Sequence, residues 1–268
     1  MYSISIITVG MNHLAYLKSL LHSLYIENHP KCSFEMIYID NCSKDDSVKF
    51  IRENYPEVKI IENKQPLGFG ENNNKGVFAS TGKYIAIINP DIVIQKDSLD
   101  ILLDYAEQHL QAGIIVPQLL NPDHSIQYSV RGFISIKTLT ARILSKGKDN
   151  VNNKTVNEYL CKDLDFQKTQ FVDWAIGAAF FMHRDTFAKL GGFDLDYFLY
   201  MEDEDMCLRC WKNNMPVIYC PQSTMIHNHL RGSSKLGKKA WLHIQSIITF
   251  FRKHGIKIKN SKEHTMSL

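Results

Sequence analysis

No apolar run in this 268-residue chain approaches the roughly 18 residues that a bilayer-spanning helix needs. The opening run Ile4–Val9 is too short and lacks a basic flank, so no signal peptide is expected. Cysteine is sparse and without framework spacing: Cys32, Cys42, Cys161, Cys207, Cys210 and Cys220 include one CxxC, which falls in a helical pattern with no second pair. These read as buried free thiols rather than a metal or redox site, in keeping with a reducing cytoplasm. Neither a GxGxxG nor a GxxxxGK[ST] loop is present, which argues against a dinucleotide-binding fold and a P-loop ATPase. There is no internal repeat. Acidic residues are missing from one long stretch: residues 231–262 hold Arg231, Lys235, Lys238, Lys239, Arg252, Lys253, Lys257, Lys259 and Lys262 but no Asp or Glu, with Trp241, Phe250 and Phe251 interleaved.

The composition that remains, 44% hydrophobic and 22% charged with a formal net charge of +3, is that of a globular chain able to bury a sizeable core as one domain with a small appendage. Strand-like and helix-like periods alternate along its first half. Ser3–Val9 reads as a strand, Asn12–Tyr25 as a helix on its leucine spacing, and Phe34–Ile39 as a strand ending in Asp40-Asn41. Ser43-Lys44-Asp45-Asp46 reads as a cap opening a helix to Tyr55, and Val58–Glu62 is a third strand. Gly68-Phe69-Gly70 leads into a short helix, and Tyr84–Ile88 is an Ile-rich strand buried on both faces. A helix over about 97–109 and a strand at Ile114–Leu119 follow. Alternation at this spacing predicts βαβ units, hence an α/β fold with a mostly parallel, Rossmann-like sheet flanked by helices. The polar region from Ser145 to Gln170 reads as a mobile excursion, Phe171–Met182 as one further apolar run, and Asp205–Trp211 as the start of a helix.

The strand at 84–88 runs into Asn89-Pro90-Asp91. Proline cannot continue a central ladder, so Asp91 is presented at the carboxyl edge of the sheet, where open α/β sheets bind ligands. Asn-Pro-Asp alone is equally a turn and cap. Thr8, Asp40, Asn41 and Asn63 end other strands on the same rim, and a row of carboxylates and amides there suits a nucleotide. Asp91 is then the natural group for Mg²⁺ or Mn²⁺, which take hard oxygen ligands and offset charge on a departing diphosphate. Glu202-Asp203-Glu204-Asp205 is the densest acidic cluster. It could be only a helix N-terminus with an i,i+4 pair to Arg209, but it follows the apolar Phe198-Leu199-Tyr200-Met201, and an acid near apolar walls gains the raised pKa that a general base needs, so Asp203 or Glu202 is a catalytic candidate. His227 and His229 are equally structural groups or metal ligands.

Six motifs occur together and in order: Ile39-Asp40-Asn41-x-Ser43-x-Asp45; Asn63-x-x-x-x-Gly68-Phe69-Gly70-x-Asn72-Asn73-x-x-Gly76; Asn89-Pro90-Asp91; Trp174-x-x-Gly177; Gly191-Gly192-Phe193-Asp194; and Tyr200-x-Glu202-Asp203-x-Asp205-x-x-x-Arg209. In these the chain resembles glycosyltransferase family 2, inverting enzymes of GT-A fold, and specifically the bacterial rhamnosyltransferase-like branch that builds O-antigen and other surface polysaccharides. The resemblance covers roughly residues 3–235. It implies a GT-A domain over 1–230, with a donor half to about 120 and an acceptor half beyond, followed by a basic helical extension over 231–268. It implies that Thr8, Asp40, Asn41, Asn63, Gly68, Phe69, Asn73 and Asn89 bind the nucleotide, and that Asp91 and His227 hold the metal. Asp203 would be the base with Glu202 beside it, and Trp174 and Gly177 would shape the acceptor side. Two positions depart from the family pattern: Val9-Gly10 follow Thr8 in place of Tyr-Asn, and Asn89 stands where the DxD motif has its first acid.

The function so implied is transfer of a sugar, L-rhamnose from dTDP-L-rhamnose or else the sugar of a UDP donor, onto a lipid-diphosphate-linked saccharide. The basic, aromatic tail fits peripheral contact with the inner face of the cell membrane; no nucleic-acid motif accompanies it. A non-catalytic nucleotide-sugar or carbohydrate-binding scaffold is the rival class. A nucleotidyltransferase would want a Gly-rich, Arg-containing loop where Thr8–Asn12 stands.

Overall fold

The computed structural model describes residues 2–228 and 238–263. Eleven strands lie among the described residues: β1 (Ile4–Gly10), β2 (Phe34–Asp40), β3 (Lys59–Glu62), β4 (Tyr84–Ile88), β5 (Ile92–Ile94), β6 (Ile114–Leu120), β7 (Val130–Arg131), β8 (Gln170–Phe171), β9 (Trp174–Ala175), β10 (Ala179–His183) and β11 (Val217–His227). The helices are α1 (Leu14–His22), α2 (Ser47–Asn54), α3 (Phe69–Phe78), α4 (Ser98–Gln108), α5 (Ile136–Leu144), α6 (Lys154–Tyr159), α7 (Arg184–Leu190), α8 (Glu202–Lys212) and α9 (Lys238–His254). A central sheet runs in the order β3-β2-β1-β4-β10-β6-β11-β5, with β8 also on β11, and β7 pairs with β9 in a small second sheet.

The parallel arrangement expected from βαβ alternation holds across β3-β2-β1-β4. Beyond β4 the sheet is mixed, because β10 enters antiparallel between β4 and β6. Side chains alternate cleanly across the sheet: Ile6, Ala86 and Phe181 pack with Leu17, Leu20 and Leu102 of α1 and α4, while Ile7, Ile85 and Phe180 pack with Phe187, Met206 and Trp211 of α7 and α8. Both faces are covered, which is why these strands read as continuous apolar runs.

Four local expectations change. Ser43 does not cap α2; Asp45 accepts hydrogen bonds from the Ser47 N–H (3.2 Å) and hydroxyl (2.6 Å), so the helix starts later. Phe171–Met182 is three strands rather than one run, broken at Val172-Asp173 and at Ile176–Ala178. The 145–170 excursion is ordered around α6, whose Val156, with Leu160 four residues on, buries against Ala141 of α5. The helix read from Asp205 begins at Glu202.

The basic stretch after 230 lies partly outside the described residues, Arg231, Lys235 and His229 among them. Its helix α9 docks on the α8 side of the molecule. Phe250 is fully buried with Tyr197, Met201 and Leu208, the Ser246 hydroxyl donates to Leu199 O, and Ser261 N–H donates to Asp173.

Candidate active site

Strand ends deliver the first group of residues. β1 and β2 run in register Gly10↔Asp40, and β2 and β3 in register Asp40↔Glu62, so Thr8, Asp40, Asn41 and Asn63 crowd one rim. Thr8 is fully buried and its hydroxyl has no partner; Asp40 accepts the Ser43 N–H through Oδ2 (3.0 Å) while its buried Oδ1 has none. Buried polar atoms without partners are rare, and each calls for an explanation, a bound group among them. Gly10 is required by Tyr38: a Cβ at residue 10 would lie 2.2 Å from the phenol oxygen.

The amides have another use. Asn41 grips Leu67, donating to its carbonyl (3.1 Å) and accepting its N–H (2.8 Å), and Asn63 donates to both Asn41 and Asn72. Asn72 in turn donates to Gly68 O (2.8 Å). Together they pin the loop that begins α3. Asn73 donates to Phe69 O (3.0 Å) and leaves its buried Oδ1 unpartnered.

Residues Gly68 and Phe69 join this rim to the second half of the chain. The Phe69 N–H donates to Phe198 O (3.1 Å), and a Cβ on Gly68 would stand 2.7 Å from that same oxygen. The Phe69 ring meets Phe193 edge-on, while Asn74, which the motif reading did not single out, holds Phe193 by both its N–H and its carbonyl.

Asp203 sits on the first turn of α8. Tyr200 and Met201 just before it both hold left-handed backbone (φ 70° each), a conformation that costs on the order of 1–3 kcal/mol per residue and persists only where the surroundings enforce it. Buried Met201 supplies that anchor. Asp203 Oδ2 accepts the Gly177 N–H (3.0 Å) and Oδ1 the Glu204 N–H (2.9 Å). Gly177 must be small, since a Cβ there would meet Asp203 Cβ at 3.2 Å and the Phe69 ring at 3.5 Å. The next residue, Ala178, accepts the Asn89 N–H through its carbonyl (2.9 Å). Asp203 is therefore tied through Gly177-Ala178 to the Asn89-Pro90-Asp91 turn between β4 and β5.

The four acids of α8 have separate fates. Asp205, fully buried, is consumed by Arg209 (2.6 Å) and His254 (2.7 Å). Glu204 accepts the Ile134 N–H (2.7 Å), and Glu202 is buried with Oε2 unpartnered. Burial holds the Glu202 carboxyl well above the ordinary range, reinforced by the neighbouring Asp203 charge. Burial also raises Asp203, against the lowering pull of the Gly177 and Glu204 N–H groups and of Arg131. Glu204 is raised well above 4.5, again chiefly by burial. Below pH 4.5 both folded and unfolded chains carry that proton; above it the unfolded chain releases it first, and folding loses about 1.4 kcal/mol per pH unit until the folded group also ionises. Glu204→Gln is therefore expected to gain thermal stability over wild type as pH rises from 4.5, and to match it below. Melting curves across pH check this.

His227 ends β11, a strand absent from the sequence reading, and pairs with Ile92 of β5 in the antiparallel register that brings it beside Asp91. Its Nε2 lies 3.5 Å from Asp91 Oδ1, and its Nδ1 lies 2.6 Å from Gln127 Oε1. The Gln127 amide nitrogen donates to Asn121 Oδ1 (3.0 Å) and His227 O (3.3 Å), which leaves its oxygen toward the ring. Gln127 was not legible from any motif. Asn228, the residue after His227, donates to Asp91 O from its backbone (2.9 Å) and side chain. Trp174 is mostly buried, its indole donating to Gly132 O (2.8 Å), with Tyr159 packed against it.

The family model for glycosyl transferase family 2 matches residues 5–191. The chain belongs to that family. Among curated relatives of this glycosyltransferase, N-acetylglucosaminyl-diphospho-decaprenol L-rhamnosyltransferase of Mycobacterium tuberculosis is 27% identical over 254 residues, 89% of this chain and 81% of that one. Rhamnosyltransferase WbbL of Escherichia coli K12 is 29% identical over 261 residues, 94% of this chain and 93% of that one. Mannosyltransferase PcManGT from Pyrobaculum calidifontis, solved with GDP-Man and Mn²⁺, superposes with a TM-score of 0.63 at 15% identity over 97% of this chain and 66% of its own. GalNAc-T7, solved with UDP, GalNAc and Mn²⁺, gives 0.62 at 15% identity over 87% of this chain and 44% of its own. The fold of the glycosyltransferase is thus GT-A, in the rhamnosyltransferase-like part of its family.

The residues at the Asp91 rim of this family-2 chain fit a hard divalent cation. His227 turns Nε2 toward Asp91 Oδ1 (3.5 Å) while Gln127 Oε1 lies 2.6 Å from its Nδ1, so an outer partner fixes the ring with one nitrogen beside the carboxylate. No cluster of three or more His, Cys, Asp or Glu able to hold a metal occurs among the described residues, so the remaining ligands would come from the donor phosphates and water.

Proposed function

We propose that this protein is an inverting rhamnosyltransferase that moves L-rhamnose from dTDP-L-rhamnose to a hydroxyl of a lipid-diphosphate-linked saccharide during cell-surface polysaccharide synthesis. The observation that carries the proposal is the Gly177-Ala178 link, which ties the α8 carboxylate to the Asn89-Pro90-Asp91 turn. The two rhamnosyltransferase relatives, aligned over nearly the whole chain, support the sugar, and the decaprenol-diphosphate acceptor in one relative's name supports the lipid link.

In this reading the nucleobase and ribose occupy the β1–β2–β3 rim, where Thr8 Oγ1 and Asp40 Oδ1 have unmet hydrogen-bonding capacity. Asn41 and Asn63 act by fixing the 67–69 loop, which with Phe69, Asn73 and Asn89 walls the nucleotide. Asp203 is the base. It takes the proton of the acceptor hydroxyl, and the resulting oxygen attacks the anomeric carbon as the nucleoside diphosphate leaves. One displacement with no covalent intermediate inverts the configuration. Gly177 and Glu204 hold Asp203 by N–H bonds that favour its charged form, while burial keeps it basic enough to accept a proton. Glu202 lies beside it, its carboxyl pushed up by burial and by the neighbouring Asp203 charge. Trp174 and Gly177 line the acceptor side. A Mg²⁺ or Mn²⁺ ion held by Asp91 and His227 would stabilise negative charge on the leaving diphosphate.

Incubation with dTDP-L-rhamnose and with UDP-sugars, each with and without a polyprenyl-diphosphate-linked saccharide, tests the reading. Acceptor-dependent release of dTDP and a product of inverted anomeric configuration are expected. Release from UDP-sugars instead would reassign the donor; binding without release in any combination would leave only a carbohydrate-binding scaffold.

A further inference from the structure

Two helices far apart in sequence turn apolar faces to solvent. On α5, Ile136, Ile143 and Leu144 are 51%, 67% and 77% exposed; on α9, Trp241, Ile244 and Ile248 are 60%, 49% and 53% exposed. Solitary exposed apolar residues are ordinary, but a helix normally spends its apolar stripe on the core. Here each helix has already done so on its opposite face, through Thr138 and Ala141 on α5 and Ser246 and Phe250 on α9. On the flanks between the two faces, Leu139 of α5 and Ile247 and Phe251 of α9 pack into one cluster with Ile134, Tyr197 and Phe250. The outward residues are thus a second stripe, and because both helices meet in that cluster, the two stripes lie on neighbouring elements.

The charges the two helices themselves carry have one sign, and the acids paired with them, Asp149 on Arg142 and Asp194 and Asp196 on Lys253, come from other segments. Neither helix carries an Asp or Glu, while Lys137 on α5, Arg252 on α9, and Lys146 and Lys257 just beyond their ends are exposed. Apolar and aromatic side chains rimmed by cations match the interface of an anionic bilayer, where aliphatic groups enter the headgroup boundary and lysines meet lipid phosphates. No helix among the described residues is long and apolar enough to cross a membrane, so such contact would be shallow. The pair also touches the segment that carries Asp203: Ile134, just before α5, donates to Glu204, and Ser246 of α9 donates to Leu199, four residues before Asp203.

The geometry points to the outer faces of α5 and α9 as a joint docking surface for an anionic lipid bilayer, which seats the enzyme with the Asp203 side of its cleft at the interface. This deepens the proposed function and rests on its lipid-linked acceptor only for its purpose, not for its occurrence. The α5 half was invisible in the basic tail that first suggested membrane contact.

The full chain, mixed with phosphatidylcholine vesicles and with the same vesicles containing phosphatidylglycerol, is expected to sediment with the anionic vesicles only and to release at high salt. Trp174 and Trp211 are buried, so a blue-shifted emission, quenched by lipids spin-labelled near the headgroup, would report Trp241. The pairs Ile143→Asp with Leu144→Asp, and Ile244→Asp with Ile248→Asp, should each lower vesicle partitioning by about tenfold or more. Melting temperature and transfer to a soluble acceptor analogue should stay near wild type. Absence of wild-type binding, or binding untouched by the α5 pair, overturns the two-helix surface. So does a wild-type dimer that the variants dissociate, which would make a second copy the occupant. Vesicle binding with no transfer from any donor would instead count against the enzymatic reading alone.

Discussion

Asp203→Asn is expected to lower turnover by at least about 10²-fold while nucleotide-sugar binding survives, because a positioned base is typically worth 10²–10⁴ in rate. The substitution is close to isosteric, and its oxygen can still accept one of the two N–H bonds now made by Gly177 and Glu204. What it removes is proton affinity. The wild-type rate should rise with pH as Asp203, its pKa raised by burial, becomes ionised; the amide variant should lack that limb. Single-turnover rates against pH, with donor affinity from calorimetry, separate the two effects. Near-normal turnover in the variant would move the base elsewhere, with Glu202 the first alternative to test.

Asp91→Asn, and removal of divalent ions by chelation, should each cost about 10²-fold or more, since a cation opposing the leaving diphosphate supplies several kcal/mol of transition-state stabilisation. Chelated wild type should recover with Mn²⁺ or Mg²⁺, whereas the Asp91→Asn variant should need far more metal. Nucleoside diphosphate should raise the melting temperature of wild type more with Mn²⁺ than without, a gain that the variant loses. Full activity after exhaustive chelation would show that Asp91 and His227 form only the ion pair their 3.5 Å separation also permits.

Both residues were legible in sequence for reasons the structure makes concrete. An Ile-rich strand cut by Pro90 had to present Asp91 at a rim, and an acidic run behind apolar residues had to place some carboxylate in a dry setting. What could not be read was the partner geometry. His227 depended on β11, whose Pro221 and register shift between Cys220 and Thr224 hide an eleven-residue strand from any period-two pattern. Gln127, a hundred positions away, orients the ring without any local signature. The amides of Asn41 and Asn63 looked like ligand-facing groups because composition cannot distinguish an amide that meets a ligand from one that grips Leu67. The excursion at 145–170 looked mobile because its polar majority hides scattered anchors: Val156 and Leu160 bury against Ala141, and Tyr159, Cys161, Leu164 and Phe166 pack half-buried on the core.

The contact between His254 and Asp205 has a practical corollary. Asp205 is fully enclosed, and one of its two counter-groups arrives from the far end of the chain, along with Lys253, which reaches both Asp194 and Asp196. A clone trimmed at residue 230 would not simply shed an adhesive appendage. It would bare one side of the helix that carries Asp203, strand a carboxylate beside a single arginine and empty Phe250's niche, so sluggish catalysis in such a truncation would say nothing about lipids.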